Sequence, residues 1–386
     1  MSSETAETYF RFDYINKAWR KSAKDDAMIK NMSSFFNPIN FFNRRAKTEF
    51  FLGTSQVDAK RYLLVSEQGV RDIRTDLEAH LSTPLTFFPV AQNTVYTNME
   101  SFYIENAIDY NKIEKEIKSF NKAADASAKL WNFLQALATA RQMYREKKYF
   151  FLAVDVESYE RDHSCILEVG WSIHDARKDL FMDRHFCVEK YRHLKNGRYV
   201  SDAKDRFMFG KTVWASLEKI SEEFLRDITL DGENDDKIVV LVGHDINMDV
   251  KYLEAMGKHM KDAIATLTRF DTAEMNAARV GKPNDRVSLG RLLDEFKIEN
   301  YCLHNAGNDA HFTLLLFLEL CKLPNPITAT KVVATSSIGS VRGKSSAREA
   351  IGRKTSLFVT SKAGCHFDVY LDVDIDEWMI VDSYVK

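Results

Sequence analysis

"FLAVDVESYE", residues 151–160, is the stretch that decides the predicted fold. An apolar run begins at Tyr149 and leads directly into Asp155 and Glu157, two acids separated by one residue. Because side chains alternate along a strand, both carboxylates project from the same face of a sheet. Two like charges at the end of a buried strand require a positive partner. An Asp-x-Glu pair also ends many ordinary strands, so this stretch alone does not establish a metal site.

The sequence after this stretch predicts an α/β fold, because short apolar strands alternate with helical patterns. Further strands are predicted at "SCILEVGWSIHD", "LFMDRHFCVE", "KIVVLVGHD" and "AIATLTRFDT". Helices are predicted at "TVWASLEKISEEFLRDI", "NMDVKYLEAMG", "LGRLLDEF" and "HNAGNDAHFTLLLFLELC". Three consecutive strands in a meander, followed by strand and helix alternation, predict a mixed sheet flanked by helices.

The length of 386 residues predicts two or three domains, since one hydrophobic core rarely organises so long a chain. A small unit of mixed secondary structure is predicted for residues 1–100. Residues 101–146 predict one long helix or a helical hairpin, either a packing arm or a partner-binding element. Residues 147–325 form the predicted α/β domain. A basic linker, residues 326–354, is either solvated or in contact with phosphates, and a β-rich tail follows at 355–386.

Composition excludes several classes of protein. The chain is 45% hydrophobic and 28% charged, as in ordinary soluble proteins, and no apolar run is long enough to span a membrane. Its net charge of −2 argues against nucleic-acid binding through bulk positive charge but allows a local basic groove. The five cysteines form no CxxC pair, which predicts reduced thiols and a cytoplasmic, nuclear or mitochondrial location. The first ten residues contain no apolar segment typical of a secretory signal.

Two later segments contribute further acids. In "VLVGHDINMDVKYL" a buried strand leads into a loop, and Asp249 follows near the start of a helix, where the helix dipole favours a carboxylate. This position also suits a simple capping acid. In "HNAGNDAHFTLLL", Asp309 lies in a very apolar helix and His304 precedes it by five residues. An acid in such a helix is costly to bury unless it is compensated.

The four carboxylates of Asp155, Glu157, Asp249 and Asp309 therefore come from three separated segments, each at the end of a strand or the start of a helix. If they converge, they repel one another and raise one another's pKa values, so two divalent cations are the natural compensating charge. Ligands that offer only oxygen favour Mg²⁺ or Mn²⁺ over zinc.

The same segments carry a family resemblance. "FLAVDVE", "VGHDINMD" and "HNAGNDA" resemble the three motifs of the DEDDh 3′-to-5′ exonuclease family, which has a ribonuclease-H-like fold. "RFDTAEMNAAR" and "SLGRLLDEFKIENYCLHNAGNDAHFT" are similar to the segments between those motifs, and the resemblance covers roughly residues 147–322. Within the family, the sequence is most similar to a fungal group that includes the argonaute-associated exonuclease of gene quelling.

The resemblance implies a role for each matching residue. It makes the four acids metal ligands and catalytic residues, and His304 the general base. The second-motif acid is Asp249, because Gly243 and His244 align with the family's Gly-His. The remaining expectations are substrate contacts from Ser158, Tyr159 and Asn305, support behind the ligands from Asp245 and His244, and hydrogen-bonding roles for Glu168 and Asp271. His244 is either a ligand or a structural histidine, and no role is expected for His311.

One departure concerns the residues after Glu157, where family members often have Thr and Gly and this chain has "SYERD". The family pocket for the terminal nucleotide is therefore altered, and Tyr159 offers a stacking face instead.

The activity implied by the resemblance is hydrolysis of phosphodiester bonds from the 3′ end of RNA, as a single strand or short duplex, with release of nucleoside 5′-monophosphates. Two alternatives stay open: a DNA exonuclease of proofreading or repair type, and a catalytically idle scaffold that binds nucleic acid. The fungal resemblance also implies a protein partner such as an argonaute. No membrane partner is expected, because no apolar run is long enough to span a bilayer.

Overall fold

The computed structural model describes residues 8–44, 48–229, 238–324, 357–360 and 366–369. The predicted basic linker, 326–354, lies outside these residues. The described chain divides after Asp125 into two compact units, the second of which begins at Ala126. None of the helices in the described residues combines the length and apolar character needed to cross a membrane.

The first unit contains a four-stranded antiparallel sheet with strand order β1-β3-β2-β4. Its elements are β1 (Tyr9–Arg11), α1 (Phe12–Lys21), α2 (Asp26–Phe35), α3 (Pro38–Arg44), β2 (Glu49–Ser55), β3 (Arg61–Ser66), α4 (Glu67–Leu81) and β4 (Tyr96–Tyr103). Aromatic residues form much of its core, where the centroid of the Phe12 ring lies 5.1 Å from that of Phe41 and 5.3 Å from that of Phe50. Such aromatic contacts add to the stabilisation from buried apolar area.

A single helix, α5 (Ala107–Glu146), follows β4, so the segment predicted as a helix or a hairpin is one helix. Its apolar residues recur at helical spacing. Ile113 and Ile117 pack on the aromatic core of the first unit. Further along, Phe133 and Leu137 belong to a core of the second unit.

The second unit contains a six-stranded mixed sheet with strand order β10-β9-β5-β6-β7-β8, which confirms the predicted α/β class. Strands β5, β6 and β7 form the antiparallel meander, β9 and β10 run parallel to β5, and β8 runs parallel to β7. The elements are β5 (Tyr149–Tyr159), β6 (Asp162–Asp175), β7 (Leu180–Val188), β8 (Thr212–Ala215), α6 (Leu217–Thr229), β9 (Ile238–Gly243), α7 (Asn247–Ala255), α8 (Lys258–Ala265), β10 (Thr268–Asp271), α9 (Thr272–Val280), α10 (Leu289–Glu295) and α11 (Ala306–Lys322). Near the C-terminus, β11 (Leu357–Thr360) and β12 (His366–Val369) pair antiparallel.

Helices cover both faces of the six-stranded sheet, and β5 alternates between the two resulting cores. Phe151 and Ala153 face the core formed with α9, α10, α11 and the second part of α5. Leu152 and Val154 face the core formed with α6, α7 and α8. Asp155 continues the series of Phe151 and Ala153, so it projects toward the face covered by α11.

Two predicted elements are wrong in extent. "TVWASLEKISEEFLRDI" is helical only from Leu217, because Thr212, Val213 and Trp214 pair with β7 and residues of these types favour strands. "AIATLTRFDT" forms a strand only over Thr268–Asp271. Its first residues end α8, where Ile264 is fully buried on the same helix face as Met260.

Candidate metal centre

The position of Asp155 depends on a close approach between α11 and the sheet. Asp155 pairs with Gly170 on β6. A Cβ atom at Gly170 would lie 2.2 Å from the carbonyl carbon of Ala306, so the first residues of α11 contact β6 where a side chain is absent. This contact brings the first turn of α11 next to Asp155.

Asp309 lies in that first turn and is 7% exposed. Its Oδ2 accepts a hydrogen bond of 2.9 Å from the backbone N–H of His304. Burial raises the pKa of Asp309 to about 7, with a further rise from the negative charge of Glu168, although the hydrogen bond from His304 opposes the shift.

Asp249 reaches the same edge of the sheet from the other side. Because β9 is parallel to β5, both strands end at this edge, and Asp249 lies in the first turn of the helix that follows β9. Its Oδ1 accepts a 3.0 Å hydrogen bond from the N–H of Val156, the residue between Asp155 and Glu157. Burial raises the pKa of Asp249 to about 7 despite this bond.

The four acids form one cluster, since the negative charges of the other three all raise the pKa of Asp155. Burial raises the pKa of Asp155 well above its usual range, and Asp249 and Asp309 raise it further. Burial also raises the pKa of Glu157 to about 8, with contributions from Glu168 and Asp309. At neutral pH, ionising all four carboxyls without a cation is therefore unfavourable.

Two carboxylate oxygens in the cluster are buried without a hydrogen-bond partner among the described residues: Oδ2 of Asp155 and Oδ1 of Asp309. An unpaired buried oxygen costs roughly 1–3 kcal/mol, and more when it is charged. One carboxylate oxygen from Glu157, one from Asp309 and one ring nitrogen of His304 also lie within 4.8 Å of one another. Unpaired oxygens, raised pKa values and a donor set dominated by carboxylates fit Mg²⁺ or Mn²⁺.

His304 is exposed at the edge of this cluster, in the loop before α11. Its φ of +65° is in the left-handed region. Non-glycine residues in that region carry a backbone strain that surrounding contacts must offset, and the hydrogen bond from its N–H to Asp309 is one such contact. The histidine backbone and the Asp309 carboxylate therefore hold each other in place.

His244 and Asp245 lie in the loop between β9 and α7. Nε2 of His244 donates to the carbonyl of Val287 over 3.0 Å, and its Nδ1 lies 2.9 Å from Oγ1 of Thr272. Both ring nitrogens are occupied, so His244 is structural rather than a ligand. Asp245 is exposed and forms an ion pair with Arg286.

Asp271 has the expected hydrogen-bonding role. Its carboxylate caps α9 through the N–H of Ala273 and accepts from the N–H groups of Asp245 and Ile246, which orders the loop before Asp249.

The predicted substrate contacts lie in different environments. Ser158 is partly buried, and its Oγ accepts a 3.0 Å hydrogen bond from Tyr252 and lies 3.0 Å from Nδ1 of His163. Tyr159 is partly buried at the end of β5. Asn305, by contrast, is fully buried: its side chain caps α11 through the N–H of Asn308. The expected direct contact between Asn305 and substrate is therefore replaced by a structural role.

Glu168 hydrogen-bonds behind the cluster, as expected, and its partner His185 had no signal in the sequence. Oε2 of Glu168 lies 2.9 Å from Nε2 of His185 and accepts a 3.4 Å bond from the N–H of Ala306. Nδ1 of His185 lies 2.9 Å from Oγ1 of Thr212. Glu168 and His185 lie on the consecutive strands β6 and β7, and only the register between these strands, in which Gly170 pairs with His185, reveals that the two side chains meet.

Comparison with known proteins agrees with this geometry. Residues 150–320, a little under half of the chain, match the family model described as DEDDh_C, DNA polymerase III subunit epsilon-like, C-terminal domain. Over these residues the chain is therefore similar to the DEDDh family.

Among similar proteins are two from Saccharomyces cerevisiae. Uncharacterized protein YDR514C is 31% identical over 206 residues, covering 46% of this chain and 42% of the relative. Good for full DBP5 activity protein 2 is 26% identical over 235 residues, covering 53% and 41%. The chain thus spans about two fifths of the length of these relatives. A solved structure titled for 3′-end specific recognition of a histone mRNA stem-loop by a 3′-exonuclease aligns with a TM-score of 0.31 and 12% identity, covering 47% of this chain and 70% of that one.

Proposed function

We propose that the domain is a metal-dependent 3′-to-5′ exonuclease that acts on RNA and releases nucleoside 5′-monophosphates. The observation that carries the proposal is the acid cluster with its two unpaired buried oxygens, on Asp155 and Asp309. Such a cluster is costly to the folded protein unless cations bind there. The family match over residues 150–320 supports the same reading.

Asp155, Glu157, Asp249 and Asp309 would hold two divalent cations. Bound at this position, such ions supply charge neutralisation for a phosphodiester and an activated water. The protein contributes a fixed spacing between the acids: the bond from the N–H of Val156 ties Asp249 to β5, and the contact at Gly170 ties α11 to β6.

His304 is the group that we assign to proton transfer. It is exposed, it lies beside Glu157 and Asp309, and an imidazole exchanges protons near neutral pH. Its ring accepts the proton of the attacking water, and its backbone bond to Asp309 keeps the ring next to the acids. Replacing His304 should therefore lower the rate of hydrolysis without removing the cation site.

The choice of RNA over DNA and an argonaute-type partner rest on the sequence resemblance. A cytoplasmic or nuclear location rests on the cysteine pattern, and all three stay predictions. A DNA exonuclease would use the same acids, since the difference lies in recognition of the 2′-hydroxyl. The idle-scaffold alternative would keep the fold without tight cation binding.

The test is degradation of 5′-labelled single-stranded RNA and DNA of identical sequence with Mg²⁺ or Mn²⁺, beside Asp155→Asn and a chelator control. The proposal expects stepwise shortening from the 3′ end, lost in the variant and with chelator. If neither substrate is shortened, calorimetric titration with Mn²⁺ distinguishes two cases. An enzyme given the wrong substrate still binds Mn²⁺ tightly, whereas an inactive scaffold does not. No shortening together with no Mn²⁺ binding would overturn the proposal.

A further inference from the structure

The basic loop, residues 189–211, connects the parallel strands β7 and β8 and lies beside the acid cluster. Apart from a short 3₁₀ turn at Glu189–Tyr191, it contains no helix or strand. Connections longer than about 15 residues without their own secondary structure are uncommon in compact domains and are usually functional or disordered. This loop is fastened in place at two points.

The first fastening joins the loop to the end of β5, just after Glu157. The side chain of Asn196 accepts from the N–H of Glu160 over 2.9 Å and donates to the carbonyl of Ser158 over 3.0 Å. The Glu160 carboxylate in turn accepts from the consecutive N–H groups of Gly197, Arg198 and Tyr199, at 3.0 to 3.3 Å. Gly197 has a φ of +147°, which few other residues adopt.

The second fastening joins the loop to the third acidic segment through two buried asparagines. Nδ2 of Asn305 donates to the carbonyl of Ala203 over 3.0 Å. Nδ2 of Asn308, the residue before Asp309, donates to the carbonyl of Arg206 over 3.0 Å, and its Oδ1 accepts from the N–H of Met208 over 2.9 Å. The loop therefore runs from the segment that carries Asp155 to the segment that carries Asp309.

The exposed surface of the loop is cationic, in contrast with the net charge of the chain. Six of its lysines and arginines are exposed against two exposed acids. Lys195, Arg198 and Arg206 form no ion pair with any residue that the structure describes. Next to Arg198, the ring of Tyr199 is 72% exposed, and the guanidinium lies 5.1 Å from its centroid.

We propose that the basic loop is the surface that binds the single-stranded nucleic acid next to its 3′ end, with Lys195 and Arg198 on backbone phosphates and Tyr199 stacked on a base. This inference rests on the proposed function and extends it. A loop fastened at both acidic segments and carrying unpaired cations fits a polyanion whose end reaches the metal centre. An exposed aromatic ring beside an arginine is the combination that stacks on bases without sequence preference.

The residues after Glu157, which depart from the family pattern, hold the basic loop in place. Glu160, within "SYERD", fastens the loop through its carboxylate. Since the N–H groups of the backbone make this fastening, replacing the side chains of Lys195 and Arg198 should leave the loop in position.

The experiment measures binding of the full chain to fluorescein-labelled oligouridine by anisotropy, in EDTA so that no hydrolysis occurs. The test variant is Lys195→Ala/Arg198→Ala. The matched control is Lys258→Ala/Lys261→Ala, which removes the same charge from exposed lysines on α8, a helix that leads into the opposite end of β10. Salt is varied between about 50 and 200 mM.

The test variant is expected to bind about 20-fold more weakly near 0.1 M salt, with the slope of log K against log salt reduced by about 1.4, since each phosphate contact on a single strand contributes about 0.7. Tyr199→Ala should weaken oligouridine binding about 10-fold and leave an abasic oligomer unaffected. A loss equal to that of the control variant, or an unchanged slope, would overturn the inference.

The two proposals fail separately. If RNA binding depends on the loop but no nucleotides are released in Mn²⁺, the exonuclease proposal is wrong and the proposed binding surface stands. If nucleotides are released and the Michaelis constant for RNA is unchanged in Lys195→Ala/Arg198→Ala, the exonuclease proposal stands and the proposed binding surface is wrong.

Discussion

Replacing Glu157 by glutamine should stabilise the metal-free protein at alkaline pH. The folded protein raises the pKa of this carboxyl from 4.5 to about 8. A group whose pKa is raised on folding contributes stability at low pH, and that contribution is lost as the pH rises through the folded-state value. Each tenfold change in proton affinity is worth about 1.4 kcal/mol, so ionisation of Glu157 costs the fold about 4 kcal/mol at about pH 8 and under about 1 kcal/mol at about pH 5.

Glutamine keeps the size of the side chain and carries no charge, so the variant avoids this cost. The assay is urea unfolding in EDTA at about pH 5 and about pH 8, with the unfolding free energy compared between Glu157→Gln and the unsubstituted protein. The advantage of the variant should appear at the higher pH and should shrink or reverse when Mn²⁺ is added, because Glu157 then serves as a ligand. The control is Glu299→Gln at an exposed position, which should show little difference at either pH.

A gain in stability that is the same at both pH values would refute the reasoning, because it would not come from ionisation. A variant less stable than the unsubstituted protein at about pH 8 in EDTA would refute it as well, since Glu157 would then be held by a favourable partner.

Three further predictions concern the metal centre. Mn²⁺ should raise the melting temperature of the unsubstituted protein near neutral pH and have a much smaller effect on Asp309→Asn, measured by scanning fluorimetry; equal shifts would contradict cation binding by this acid. Asp249→Ala should weaken Mn²⁺ binding by at least about 10-fold in calorimetry and also loosen the end of β5, because the N–H of Val156 loses its acceptor. Gly170→Ala should destabilise the protein by about 3 kcal/mol or more in urea unfolding, because its Cβ meets backbone atoms of α11; a loss below about 1 kcal/mol would show that α11 moves freely.

The sheet could be predicted because its strands alternate strictly between two buried faces. The run from Phe151 to Val154 is apolar on both sides, as expected for a strand between two layers of helices. The ends of individual strands and helices were harder to predict from the sequence. The local sequence predicts a helix at Trp214, because the pairing of β8 with β7 depends on a partner strand that the local sequence does not contain.

The acids could be selected from the sequence because each lies towards the end of a strand or at the start of a helix. The role of Asn305 could not be predicted, since an asparagine next to His304 suits a substrate contact as well as a helix cap. Its burial results from the basic loop lying over it, through the bond to Ala203. The attachment of the loop to Glu160 likewise depends on contacts between segments far apart in the chain.

The contact at Gly170 makes the metal centre a product of the complete domain. Asp155 and Gly170 come together in a local hairpin, but Asp309 arrives only when α11, the last helix of the second unit in the described residues, docks against β6. We expect a nascent or partly unfolded chain that lacks this docking to keep its acids apart and to lack a high-affinity cation site. Cation affinity is therefore a direct probe of cooperative assembly, and a truncation that removes α11 should abolish it even where the sheet persists.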